Sequence, residues 1–343
     1  MKEEKLGIAL VGLGNYSQKQ LAPALKESKH CYLAGIVTGS PEKAAKWKND
    51  FGLKDSNIYT YDNFDEIADN PDIDVVYVVL PNSMHAEYSI RAAQAGKHVI
   101  CEKPMALNSI EAKQIISACK DANVRFFVGY RLHFEPYNQE IKRLGQEKAF
   151  GNIKTIEAAM GFEVGSPDQW RLKHELGGGA LMDVGIYCIQ AARYITGMEP
   201  LAINYAVVAN KDEKFKEVDG DIIWEIEFPG DIKAKCHASF SKTIDFVHVE
   251  AEKGWFELSP AFEYEGLSGK TSQKKIHLPN INQQTAQLDG MAECILNATS
   301  TTASGLEGLI DMQIIEAIYK AAETGEPVDL SERMTMHSAD RRW

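Results

Sequence analysis

The chain of 343 residues is 44% hydrophobic and 25% charged, ordinary proportions for a protein with sizeable cores, and its length predicts two domains. With 37 basic against 49 acidic side chains it carries a formal charge of -12, which disfavours non-specific binding to nucleic acid or an anionic membrane. The six cysteines, at 31, 101, 119, 188, 236 and 294, form no CxxC pair and no histidine cluster at metal spacing, so reduced thiols and no metal site are expected.

No apolar run approaches the roughly 18 residues of a membrane span. The amino terminus, MKEEKLGIALVGLG, runs into a strand pattern without a leader, so a cytoplasmic protein is expected, or a periplasmic one if a leader has been removed. From residue 6 to about 130, short apolar strands alternate with helical stretches. LGIALVGLG is followed by a helix near 18 to 28, YLAGIVTG by the helix EKAAKWKNDFG, and DVVYVVLP by the helix SMHAEYSIRAAQAG. HVICEKP, the helix SIEAKQIISACKDA and the strand VRFFVGY complete the series. Strict alternation implies parallel pairing with right-handed crossovers, a doubly wound α/β sheet.

After a helix around 136 to 149 the pattern becomes one of strands with period-two alternation: NIKTIEAAMGFE, PLAINYAVVAN, DGDIIWEIEFPG, DIKAKCHASF, DFVHVEAEKGWFELSP and KKIHLP. Turn residues such as PGD and KG separate them, which predicts a mostly antiparallel sheet. A helix at 180 to 196 lies between the first two of these strands, and helices near 284 to 298 and 306 to 324 close the chain. The expected fold is thus α/β followed by α+β: a nucleotide-binding domain over 1 to 130, a second domain over 131 to 325 and a tail over 326 to 343. An antiparallel sheet with few helices leaves one face to be covered, so a homo-oligomer, dimer or tetramer, is expected through it.

VGLGNYS, residues 11 to 17, ends the first strand and opens the first helix, the context of a dinucleotide-binding turn. Gly12 permits the tight turn and Gly14 lets a pyrophosphate approach the helix start, with Asn15 and Tyr16 beside it; Ser17 is the small residue in place of a third glycine. An NAD site would carry an acid roughly 20 residues further on. Here Thr38, Gly39 and Ser40 stand at that place, with Lys43 one turn into the next helix, which suits a 2′-phosphate and therefore NADP. Ser40 also reads as an N-cap ahead of Pro41. Two further strand ends point to the same crevice: Leu80, Pro81, Asn82 and His85 in LPNSMHAE, and Glu102, Lys103 and Pro104 in CEKPMA. His85 in a first turn equally suits a cap or a solvent-facing residue, and His174 reads as surface.

GGGALMDVGIYCIQAARYITG, residues 177 to 197, sets three glycines before a helix on which Asp183 and Tyr187 lie four positions apart, hence on one face. Alone, that spacing fits a capped, packed helix as well as a substrate site.

VGLGNYS, CEKP and GGGALMDVGIY, in this order and with VTGSPEKA, GYRLHFEPYN, QWRLKHEL and QLDGMAECI between and after them, resemble the glucose-fructose oxidoreductase, inositol dehydrogenase and rhizopine-catabolism (Gfo/Idh/MocA) family. The resemblance spans the chain from first strand to last helix and is nearest to the glucose-fructose oxidoreductase branch. It implies a Rossmann domain, an open-faced sheet that oligomerises, NADP, and hydride transfer to or from a sugar-like alcohol. It implies that Lys103, Asp183 and Tyr187 are catalytic and that Arg131, Trp170 and Arg171 lie near the cofactor, with Ser40 and Lys43 at the 2′-phosphate. Tyrosine at 187, where many members have histidine, is similar to members that oxidise aldoses at C1.

The branch's bifunctional member carries a secretion signal and an amino-terminal arm over its cofactor, whereas here the first strand begins at residue 6. An enzyme that exchanges its NADP, such as an aldose dehydrogenase, is therefore expected beside the coupled type. The family also includes non-catalytic dinucleotide-binding regulators; Lys103, Asp183 and Tyr187 together favour the enzyme. The expected chemistry is that Tyr187, with an unperturbed pKa near 10, becomes a usable base beside the Lys103 ammonium while Asp183 orients a sugar hydroxyl.

Overall fold

In the computed structural model, residues 5–166, 169–210 and 212–331 are described, so residues 332–343 of the expected tail lie outside the described residues. The described residues form two compact units, one comprising residues 5–131 together with Asn282–Leu309, the other Leu132–Ile281 and residues 310–331.

The first unit is built on β1 (Leu6–Val11), α1 (Ala22–Glu27), β2 (Cys31–Val37), α2 (Pro41–Phe51), β3 (Ile58–Tyr59), β4 (Val75–Val78), α3 (His85–Gln94), β5 (His98–Cys101), α4 (Ser109–Asp121) and β6 (Phe126–Val128). All its strand pairs are parallel, in the order β3-β2-β1-β4-β5-β6. Every residue of β1, β4 and β6 is buried, as strands covered on both faces must be. The strand order reverses at β1, which neighbours both β2 and β4, and in such sheets ligands bind at the carboxyl ends beside that reversal.

The second unit starts with α5 (Pro136–Gln146), whose N-cap Glu135 accepts from the Tyr137 and Asn138 N–H groups. Then come β7 (Ile153–Gly161), α6 (Ile186–Thr196), β8 (Ala202–Val208), β9 (Asp221–Phe228), β10 (Ile232–Ser239), β11 (Ile244–Ala251), β12 (Gly254–Leu258), β13 (Gly269–Thr271) and β14 (Lys275–Ile276). The chain next returns to the first unit with α7 (Gln283–Leu296), α8 (Gly305–Thr324) passes from the first unit into the second, and β15 (Val328–Asp329) pairs with β8. The sheet order is β14-β13-β12-β11-β7-β10-β9-β8-β15, antiparallel throughout except for β7 and β10, which run parallel.

Two features differ from the sequence expectation. β15 lies inside the stretch taken as a tail, and α7 packs with the nucleotide-binding unit. The reason for the second is a side-chain anchor: the Asp289 carboxylate accepts from Ser28 Oγ at 2.5 Å and from the Lys29 and His30 N–H groups at 3.0 and 3.1 Å. One sheet face is covered by the segment 181–185 and α6, and a Cβ at Gly185 would stand 3.0 Å from the Trp224 ring, so the helix start lies directly on the sheet. Tyr205, Val207 and Ile223 are exposed apolar side chains of this same sheet.

Candidate functional site

In the first unit the expected cofactor residues gather at the carboxyl ends of the parallel strands. Gly12 has φ +94°, and a Cβ there would stand 2.4 Å from the Val79 carbonyl, so the turn admits no side chain. Around the position of a Gly14 Cβ no atom lies within 4 Å, which leaves open space in front of the turn. Ser17 does more than save space: it is buried and its Oγ donates to the Gly12 carbonyl at 2.7 Å, closing the turn. Asn15 and Tyr16 lead into a π-helical turn, Ser17–Leu21, whose N-terminal amides and dipole favour an anion.

At the end of β2, Ser40 caps α2 by accepting from the Lys43 N–H at 3.3 Å, and the Lys43 ammonium donates to the Leu13 carbonyl at 3.1 Å. Cap and ammonium therefore belong to one neighbourhood with the glycine turn.

The next strand ends are joined by His85, and here the structure corrects the expectation. His85 neither caps nor faces solvent: it is 1% exposed, with Nδ1 at 2.7 Å from the Pro104 carbonyl and Nε2 at 2.9 Å from the Leu80 carbonyl. Two carbonyls favour the imidazolium, burial opposes it, and burial prevails, pushing the ring down to about 4. The ring lies between the loop of Leu80, Pro81 and Asn82 and the loop of Lys103 and Pro104, whose peptide bond is cis, and when neutral its single N–H donates to one of the two carbonyls at a time. It braces the two loops that follow β4 and β5.

Glu102 ends β5. Tyr77 donates to its Oε1 at 2.6 Å, and Gln287 of α7 donates to the Tyr77 oxygen at 2.8 Å. Burial raises the Glu102 carboxyl above the usual carboxylate range. Arg131, buried, donates to Gln283 at the start of α7.

In the second unit, the helix bearing Asp183 and Tyr187 opens as a π-helical turn, Leu181–Gly185, before α6 proper. Such turns recur at functional sites. Asp183 is buried, and its Oδ2 accepts from Arg171 Nε at 2.6 Å. The guanidinium in turn lies 4.8 Å from the Trp170 ring centre and 5.7 Å from that of Phe162. Arg171 and Trp170, expected at the cofactor, are thus brought together with the expected substrate carboxylate. The Tyr187 ring stacks on Phe262 with centres 5.8 Å apart, and a cavity beside it is walled by Leu132, Ile141, Ile195 and Phe262 and edged by Asn138, Gln190 and Lys142. His174 is exposed, as expected of a surface residue.

The family model described as "Oxidoreductase family, NAD-binding Rossmann fold" matches residues 6–130, and the GFO/IDH/MocA C-terminal domain matches residues 138–257. The chain belongs to the Gfo/Idh/MocA family. It is 32% identical over 334 residues to the D-xylose 1-dehydrogenase [NADP(+)] of Haloarcula marismortui, covering 94% of this chain and 92% of that one. It resembles the crystal structure of the aldose-aldose oxidoreductase of Caulobacter crescentus, complexed with glycerol, with a TM-score of 0.92, 41% identity, and 95% and 100% of the two chains covered. A 3-ketoreductase from Actinomadura kijaniata in complex with NADP, at 19% identity, TM-score 0.82 and 93% and 98% coverage, shares the fold.

Several residues that shape these Gfo/Idh/MocA sites escape a reading of the sequence: Tyr77, Gln287, Asp289, Asp219 and Tyr319. Each acts across a long separation, 210 residues between Gln287 and Tyr77 and 100 between Tyr319 and Asp219, so no local spacing marks it. Among the described residues no group of His, Cys, Asp or Glu could hold a metal ion, and no helix is long and apolar enough to cross a membrane.

Proposed function

We propose that this protein is an NADP-dependent sugar oxidoreductase that transfers hydride between nicotinamide and C1 of an aldose. The observation that carries the reading is Tyr187, presented beside a cavity by the same short helical segment that holds the buried, paired Asp183. Full-length likeness to enzymes named for xylose and for aldoses supports the sugar class.

The residues at the strand ends fit a dinucleotide carrying a 2′-phosphate. The open space at Gly14 admits a pyrophosphate against the helix start, and Ser40 and Lys43 offer a hydroxyl and an ammonium where an NAD site would carry an acid. Leu80, Pro81, Asn82, Glu102, Lys103 and Arg131 are assigned to the remainder of that site. When bound, the nicotinamide supplies the hydride chemistry.

The chain's own residues supply position and proton transfer. Tyr187 is assigned as the acid/base group for the C1 hydroxyl proton of the sugar, with Lys103 in a supporting role. Asp183, held at Oδ2 by Arg171, orients a substrate hydroxyl. A dimer or tetramer is proposed through the open sheet face of Tyr205, Val207 and Ile223.

The test is to purify the protein, read bound NADP by absorbance and fluorescence, and follow NADP reduction against a panel of aldoses. Steady NADPH formation marks a dehydrogenase that exchanges its cofactor. Bound cofactor that is reduced by one sugar and reoxidised by another marks the coupled type.

A further inference from the structure

The glycine-rich bend before Asp183 is fastened from behind by Asp219, which stands in the VDGD turn ahead of β9 and is 7% exposed. Its Oδ2 accepts from the Leu181 N–H at 2.7 Å and its carbonyl accepts from the Ala180 N–H at 2.8 Å, so two of the amides that a helix start leaves without partners end on this one residue. Its Oδ1 accepts from the Tyr319 hydroxyl of α8 at 2.7 Å. Gly179, at φ +120°, passes so close that a Cβ would stand 2.3 Å from this same Oδ1, and only glycine fits.

On its other side the bend is tied to the segment bearing Arg171. The Gly179 N–H donates to the Arg171 carbonyl at 2.9 Å and the Gly178 N–H to the Lys173 carbonyl at 3.0 Å. The Arg171 side chain then returns to Asp183. Any shift of the bend therefore moves Asp183 and its partner together. We propose that Asp219 is the positioning residue of the Asp183–Tyr187 segment, and that Tyr319 lets it hold that segment whether its carboxyl is ionised or neutral.

The need for both states follows from burial, which pushes the Asp219 carboxyl up to about 6, into the working range of pH. As a carboxylate it accepts from both Leu181 and Tyr319. As an acid its Oδ1–H donates to the Tyr319 oxygen, whose hydroxyl turns away, and Oδ2 still accepts from Leu181. A hydroxyl can play either part, which no purely donating side chain could do. Tyr319 is the titratable side chain that faces Asp219, and burial drives its own pKa well above the ordinary value, so it stays neutral throughout.

The proposal rests on the reading that Asp183 and Tyr187 act on substrate, so its test has one arm with catalysis and one without. In the first, kcat, the sugar KM and the NADP Kd are measured from mild acid to mild alkali for D219N, D219A and Y319F. D219A is expected to lose about a hundredfold in kcat with the NADP Kd unchanged, the cost of a misplaced reacting group. D219N, whose amide reproduces both bonds once Tyr319 turns, should stay within about threefold at every pH. Y319F should lose activity toward acid, because the neutral carboxyl no longer finds an acceptor, and it carries this arm if D219A does not fold.

The second arm follows hydrogen exchange of the peptide spanning 177–187 without substrate. Exchange is expected to be faster in D219A, faster in Y319F toward acid, and unchanged in D219N. Wild-type kcat in folded D219A, D219N as damaged as D219A, or a Y319F pH profile like the wild type would overturn the proposal. If the wild-type protein turns over no sugar, the functional reading fails, while the exchange arm still decides the role of Asp219.

Discussion

The two units prepare polar sites by opposite means. In the first, the backbone does most of the work: a glycine turn, a helix start and the ends of parallel strands face the crevice, while His85 braces two loops. In the second, side chains do it: Arg171 pairs with Asp183, and Asp219 with Tyr319 fastens the bend that precedes them. A site made of backbone tolerates side-chain change wherever the glycines remain. A site made of buried carboxylates stands or falls with each partner, because a buried charge left alone is costly.

The comparison breaks first at Tyr187. Tyr187→Phe removes one hydroxyl and is expected to lower kcat by about 10²–10⁴-fold, the usual contribution of a proton-transfer group, while NADP still binds in a fluorescence titration. Lys103→Ala, at a strand end, should impair both turnover and cofactor binding.

Next comes the ion pair of the second unit. Arg171→Ala leaves Asp183 buried without its guanidinium, and a loss of about 2 kcal/mol in denaturant unfolding is expected, less than for a fully buried pair because Arg171 is 31% exposed. The sugar KM should rise with it. A smaller effect sharpens the first unit's side. Lys43→Asp should raise the KM for NADP about tenfold more than that for NAD, the worth of one charge-assisted hydrogen bond. Equal changes for the two cofactors would remove Lys43 from the 2′-phosphate site. Smallest in catalytic effect, Val207→Glu on the open sheet face should shift sedimentation toward monomer and leave activity near wild type.

How much of this was legible in the sequence follows the same division. Strand and helix alternation, the turn at Gly12 and Gly14, and the cap at Ser40 are local, and the chain between residues 6 and 130 declares them by spacing alone. Asp183 and Tyr187 were visible as an i, i+4 pair, although the segment begins as a π-helical turn rather than an α-helix, which no residue spacing reveals. Asp289 stands in QLDGMAECI, a stretch legible as resemblance only, and its bonds to residues 28 to 30 explain why α7 joins the first unit. His85 was misread because its partners are two carbonyls, one of them 19 residues away, and burial cannot be seen in a first-turn histidine. The parallel pairing of β7 with β10 was equally hidden, since hairpin spacing suggests only antiparallel neighbours.

The most direct measurement is a single-turnover assay of the NADP-loaded protein mixed with each member of an aldose panel, following nicotinamide absorbance for the wild type and Tyr187→Phe. The account predicts rapid NADPH formation with at least one aldose in the wild type, and little or none in Tyr187→Phe although the cofactor remains bound. Bound NADP that no sugar reduces, or a Tyr187→Phe protein as fast as the wild type, would contradict it.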